Sequence, residues 1–210
     1  MDTERIIGTK KMMKKLICVS LLFVSTPSML LGQERTPKVQ DLDFLTGKWE
    51  IKFEIYDTHE PDSEPIFTEK GSQVCGYELK LNEVPMFLTC KGELVIDHTD
   101  EKRSRHLGRK REIMETIRYG RFERNFERIG LYSNWPATGL EVLSYDSASR
   151  QLTIRGQLNV QGNMLERYID TYQFNEDYTE AERTNIANFS DMPFTEYNLT
   201  LKGYYRKLEE

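Results

Sequence analysis

The chain has 210 residues, 34 acidic against 29 basic, with three Cys and three His. It holds no apolar run of the roughly 18 residues that a membrane-spanning helix needs. With 30% charged and 11% aromatic residues, the composition excludes a polytopic helical membrane protein, a disulfide-dense miniprotein, a strongly basic nucleic-acid binder and a disordered acidic tail.

The first 32 residues read as a secretory signal peptide. Lys10, Lys11, Lys14 and Lys15 form a basic n-region, Leu16 to Val24 an apolar h-region, and Ser28 to Gly32 a short stretch ending on a small residue. Cleavage is expected after Gly32, which sends the mature protein to the periplasm or the medium with no integral span. Translation from Met12 or Met13 would keep the same signal. Cys18 lies inside the h-region rather than after it, so lipidation is not expected. Cleavage removes five basic and two acidic residues and takes the net charge from −5 to −8, which does not favour nucleic acid as a partner. Residues 33–40 read as a flexible leader and 41–210 as one domain.

Beyond a short helical segment at Val39 to Leu45, period-two alternation dominates. In 49–55, Trp49, Ile51, Phe53 and Ile55 alternate with Glu50, Lys52 and Glu54, the pattern of a half-buried strand. Two further alternating runs, around Cys75 to Leu81 and Met86 to Ile96, predict a long hairpin turning at Asn82-Glu83. Between them and the next strand lies a basic segment, 102–111 (KRSRHLGRKR). It reads first as a solvated loop and otherwise as an anion-docking patch for surface interactions. Strands follow at 111–119, 124–133, 140–145, 151–158, 164–174, 179–189 and 194–208. Asp146 to Arg150 and Asn175 to Asp177 supply turn chemistry. About ten strands on turns too short for parallel crossovers predict an all-β antiparallel meander, and closure into an up-and-down barrel removes its edges.

Asp43-Phe-Leu-Thr-Gly-Lys-Trp-Glu50 carries a Gly-x-Trp at the start of the first strand. It resembles the opening motif of the calycins, the lipocalin and fatty-acid-binding barrels. That resemblance implies that Trp49 plugs one end of the barrel and that a basic residue of the last strand, here Arg206, packs over it. FLTGKWE, Ile129 to Pro136, LEVLSYDSASRQLTIRG and Glu196 to Thr200 together look like an uncharacterised exported bacterial family, domain of unknown function 1579. The likeness runs over nearly all of Asp41 to Leu208 and implies a lipocalin-like barrel with no settled activity. Related haem-binding barrels use Gly-x-Trp-x-Gly-x-Gly and a late His. Here Glu50, Ile51 and Lys52 follow Trp49 and no His follows His106, so no haem is expected. His59, His98 and His106 read as solvated. No spacing suggests a metal site or another cofactor.

With the hairpin turning at Asn82-Glu83, Cys75 and Cys90 face each other, either as a cross-strand disulfide or as two buried thiols. No catalytic motif occurs. Glu166, Tyr168, Asp170 and Tyr172 share one face, expected outward. If it faced inward, Glu166, or more weakly Glu115, would be a perturbed acid or base for a barrel enzyme. The expected lining, of a ligand site or simply of a core, is Ile51, Phe53, Tyr77, Leu79, Leu88, Ile154, Leu158, Tyr197, Leu199 and Leu201. Arg155 and Arg183 are candidates to meet a charged head group, and Asn134-Trp135-Pro136 is read as capping the barrel mouth. The leading expectation is a non-enzymatic, exported barrel that binds a small apolar or amphiphilic molecule.

Overall fold

Ten strands follow one another through the computed structural model, which describes residues 36–60, 63–133, 139–160, 164–193 and 195–209. They are β1 (Gly47–Ile55), β2 (Phe67–Leu81), β3 (Val84–Thr99), β4 (Lys110–Gly120), β5 (Asn125–Tyr132), β6 (Leu140–Asp146), β7 (Gln151–Val160), β8 (Met164–Phe174), β9 (Glu180–Phe189) and β10 (Asn198–Leu208). Each pairs antiparallel with its neighbours, and β10 closes on β1 through Trp49↔Lys207, Ile51↔Tyr205 and Phe53↔Gly203. The expected signal peptide, residues 1–32, and Asn134-Trp135-Pro136 lie outside the described residues. The compact unit begins at Thr36.

Alternation decides what goes inside. On β1, Trp49, Ile51 and Phe53 are buried while Lys48, Glu50 and Lys52 are exposed. The β2–β3 hairpin turns at Asn82 and Glu83, both at positive φ (51° and 64°), as a two-residue hairpin turn requires. Leu79 departs from its expected inward place and is 71% exposed. Its φ is +55° and the β2–β3 pairing skips it between Glu78↔Phe87 and Lys80↔Pro85, so the alternation breaks there.

One end of the barrel is plugged. A 3-10 helix at Val39–Leu45 buries Val39 and Leu42, so the fold takes in Val39 and Gln40, which the sequence reading left to the leader. Its Phe44 ring stacks on Tyr145, Phe174 and Tyr178 with centroids 4.6, 5.0 and 5.0 Å apart. Trp49 is 2% exposed and its Nε1–H donates to the Leu45 carbonyl at 2.9 Å. The cation over it is Lys207, 5.3 Å from the ring centroid, and not Arg206. Arg206 lies on the opposite parity, points outward and pairs with Glu50. Beside Trp49, Cys75 and Cys90 form the cross-strand disulfide.

Among the described residues the other end holds a pocket rather than a plug. A second 3-10 helix, Glu101–His106, starts at Asp100, whose carboxylate accepts from the Arg103 N–H at 2.8 Å. Arg103 also reaches Asp57, and the His106 ring meets Phe67 edge-on at 5.7 Å. Part of the expected loop at 102–111 is thus a folded flap at the mouth, and its last two residues already belong to β4.

Candidate ligand site in the barrel

The middle of the barrel is polar. From β5, Arg128 is 2% exposed. Its Nη1 donates to Glu115 of β4 at 3.1 Å, its Nη2 to Glu141 of β6 at 3.1 Å and to Asp170 of β8 at 3.5 Å, and its Nε also to Glu141. Arg183 of β9 grips Asp170 with two bonds of 2.8 Å, and Asn185 adds a third at 2.8 Å. Tyr132 donates to Glu115 at 2.8 Å, Tyr168 donates to Glu141, and Arg183 donates to the Tyr205 hydroxyl at 3.3 Å. Arg183 also lies 5.4 Å from the Phe53 ring centroid and 5.2 Å from that of Tyr172.

The charges set one another. Burial alone would push the Asp170 carboxyl up, but Arg183, and behind it Arg128, bring it below the usual range. Burial works equally against the Arg128 cation, and Glu115 and Glu141 reverse it, so Arg128 stays protonated well above its ordinary value. Buried ions are tolerable only when paired and hydrogen-bonded in this way. Two glycines make the room. A Cβ on Gly156 would lie 2.2 Å from the Tyr168 ring, and one on Gly203 would lie 2.9 Å from Phe53.

This network leaves little space below the mouth. Under it, among Trp49, Gln73, Glu115, Arg128 and Tyr172, is a cavity of about 40 Å³, room for no more than a few waters. The open end instead holds a pocket of about 550 Å³, within the range of small-molecule sites. Ile55, Phe67 and Ile96 form its apolar wall, His106, Arg109, Lys110 and Arg111 its basic side, and Glu69 lies deeper along β2. Glu69, 2% exposed, pairs with Arg111. Burial pushes its carboxyl up and Arg111 offsets this in part. The Arg111 guanidinium sits 5.7 Å from both the Phe53 and Tyr132 ring centroids, and its buried Nε has no hydrogen-bond partner. A larger trough of about 830 Å³ runs along the outer side of β1, β9 and β10. It is edged by exposed side chains of both signs, such as Glu50, Lys52, Glu182 and Arg206, and offers no buried polar group to select a ligand.

The residues anticipated from the sequence scatter over these layers. Phe53 and Arg183 meet in the polar middle. Leu88 and Ile154 are core, at 0% and 1% exposure, with Ile154 lining the small cavity. Ile51 is core and Leu201 packs half-buried against it. Tyr77 belongs to the plugged end, where its hydroxyl donates to Asp43. Tyr197 and Leu199 are half-buried where the chain enters β10 at the open end, and the Leu158 side chain lies outside the described residues. Arg155 is exposed: it lies between Ile154 and Gly156 on the outward parity and cannot meet an internal ligand. The face carrying Glu166, Tyr168, Asp170 and Tyr172 points inward, contrary to expectation, because Arg128 and Arg183 compensate Asp170. Glu115 points inward as well. Burial, with Asp170 nearby, raises the Glu166 carboxyl to about 7.

Arg128, Glu69 and Glu141 carry no signal of their own in the sequence, and Arg111 stands out there only as the last residue of the basic 102–111 segment. What signal there is lies in parity: Arg128 alternates with Phe126, Gly130 and Tyr132, and Glu141 with Leu143 and Tyr145. Among the described residues, no helix is long and apolar enough to cross a membrane, and no group of three or more acidic, His or Cys side chains is placed to hold a metal. Fold and site define a closed ten-stranded antiparallel barrel with a polar interior, one plugged end and a basic, apolar-walled mouth. No family model matches the chain, and no curated protein matches it significantly.

Proposed function

We propose that this chain is an exported, non-enzymatic binding protein of lipocalin-like type, holding a small amphiphilic molecule at its open mouth. The observation that carries the reading is the roughly 550 Å³ pocket, where an apolar wall faces a basic side. The filled polar middle argues against a purely apolar ligand buried deep in the barrel, because such a ligand would have to displace ion pairs that nothing in it could replace. The signal-like N-terminus supports export, and the closed antiparallel barrel supports a carrier-like reading. Native mass spectrometry and organic extraction of protein purified from its native compartment test this. A co-purifying or reloadable amphiphile is expected, and an empty protein that takes up no amphiphile would refute the reading.

A second reading, a barrel enzyme, rests on Glu166. This inward carboxyl makes no hydrogen bond among the described residues, and its raised value of about 7 suits proton transfer near neutrality. Its test is a screen for turnover, with a pH profile breaking near 7 that Glu166→Gln removes. No turnover on any amphiphile the mouth binds would reject it.

A further inference from the structure

Taking the mouth as the ligand site, the inference here concerns the charge of the ligand's head and what its arrival does to Glu69. Glu69 is almost fully buried, and among the described residues its ionic partner is Arg111. Arg111 is spent unevenly. One terminal nitrogen serves Glu69, two aromatic rings flank the guanidinium plane, and Nε is buried with no acceptor. A guanidinium can donate five hydrogen bonds in a fixed fork that matches a carboxylate, sulfate or phosphate edge. The ionisable groups around Glu69 in the pocket are Arg111, His106, Arg109 and Lys110, and the other lining residues carry no charge. Lys110 is engaged outward with Glu93 at 2.9 Å. Among the described residues lining the pocket, every charge apart from Glu69 itself is therefore basic, which selects an anion over a cation or a neutral head.

We infer that the mouth binds an amphiphile with an anionic head by exchange: the head takes the Arg111 guanidinium, and Glu69, losing its partner, takes up one proton from solvent. The exchange balances in charge. One anion enters beside Arg111 and one carboxylate becomes neutral, so the buried site keeps a single ion pair. Simple addition would set the incoming anion against the Glu69 carboxylate on one guanidinium, with Glu69 only 2% exposed and so little screened by water, the costlier arrangement. Exchange also makes loading pH-dependent, with acid favouring uptake of the anion and alkali its release.

The test uses octyl sulfate, which stays ionised throughout and cannot itself take a proton, with octanol and octyltrimethylammonium as neutral and cationic partners of equal chain length. Calorimetric titrations at pH 7 in two buffers of different ionisation heat count the protons taken up. Octyl sulfate is expected to bind at least tenfold more tightly than either partner, with close to one proton taken up per molecule. Its Kd should rise about tenfold per pH unit above neutrality. Glu69→Gln should bind it with no proton uptake and a flat pH profile, Arg111→Gln should lose the preference for the anion, and His106→Gln should leave the proton count unchanged. Binding of octyl sulfate without proton uptake, or uptake that survives Glu69→Gln, overturns the exchange. Equal binding of all three heads overturns the anionic class while leaving the amphiphile site intact. Failure of all three to bind removes the site itself.

Discussion

Replacing Arg128 with Met tests whether the polar middle holds the barrel together. The substitution removes one cation and four hydrogen bonds, one to Glu115, two to Glu141 and one to Asp170, while the methionine fills most of the volume. Asp170 keeps Arg183, but Glu115 and Glu141 are left buried with only the Tyr132 and Tyr168 hydroxyls. Breaking one partner out of a buried ion pair costs about 3–5 kcal/mol. For a domain of this size that corresponds to a fall in Tm of roughly 6–20 °C. Urea denaturation followed by circular dichroism is the assay. Arg128→Met combined with Glu141→Gln should lose less than the sum of the two single changes, with a coupling of about 1–3 kcal/mol. A single-variant loss below about 1 kcal/mol would show that Arg128 does not hold the polar middle together.

Three further outcomes follow from the same structure. Glu166→Gln should stabilise the protein at pH 8, by on the order of 3 kcal/mol at most, and do nothing at pH 4. A carboxyl raised from its ordinary value to about 7 lowers stability as pH climbs from the unfolded value to the folded one, and the full cost is present at pH 8, so parallel urea curves at the two pH values decide the point. Reducing Cys75–Cys90, which closes a separation of 15 residues, should cost about 3 kcal/mol in the chain-entropy model. An unchanged urea midpoint after verified reduction would contradict this. Gly156→Val should displace the Tyr168 ring and cost about 1–3 kcal/mol, read as a lowered Tm together with a changed near-ultraviolet tyrosine signal.

Much of the barrel was legible because its information is local and periodic. Ile51 and Phe53 between lysines and glutamates, and the turn at Asn82-Glu83, define strands and a register without tertiary knowledge. That register paired Cys75 with Cys90. The polar middle was harder to read for a physical reason. A charged residue at an inward parity is improbable alone and becomes acceptable only with its partner, and the partners here come from different strands: Arg128 with Glu115, Glu141 and Asp170, and Arg111 with Glu69. Judged singly, Asp170 and Glu166 belong outside; judged with Arg128 and Arg183, Asp170 belongs inside. Arg206 and Lys207 show the opposite limit. Both are basic neighbours on the last strand, and parity alone assigns Lys207 to Trp49, since Tyr205 faces inward and Arg206 must turn out. Leu79 fell where a positive φ interrupts the alternation, which no hydrophobic pattern announces.

A ligand seated at the mouth, above the Arg128 network, should touch that end of the barrel alone. Amide chemical-shift mapping by NMR during titration with octyl sulfate reads this directly. Shifts concentrated at Ile55, Phe67, Ile96 and Arg111, with Trp49 and its plugged end unmoved, are the predicted result. Shifts confined to the outer face around Met114, Ile129 and Leu140, which are exposed apolar residues, or spread through the Arg128 network, would contradict it.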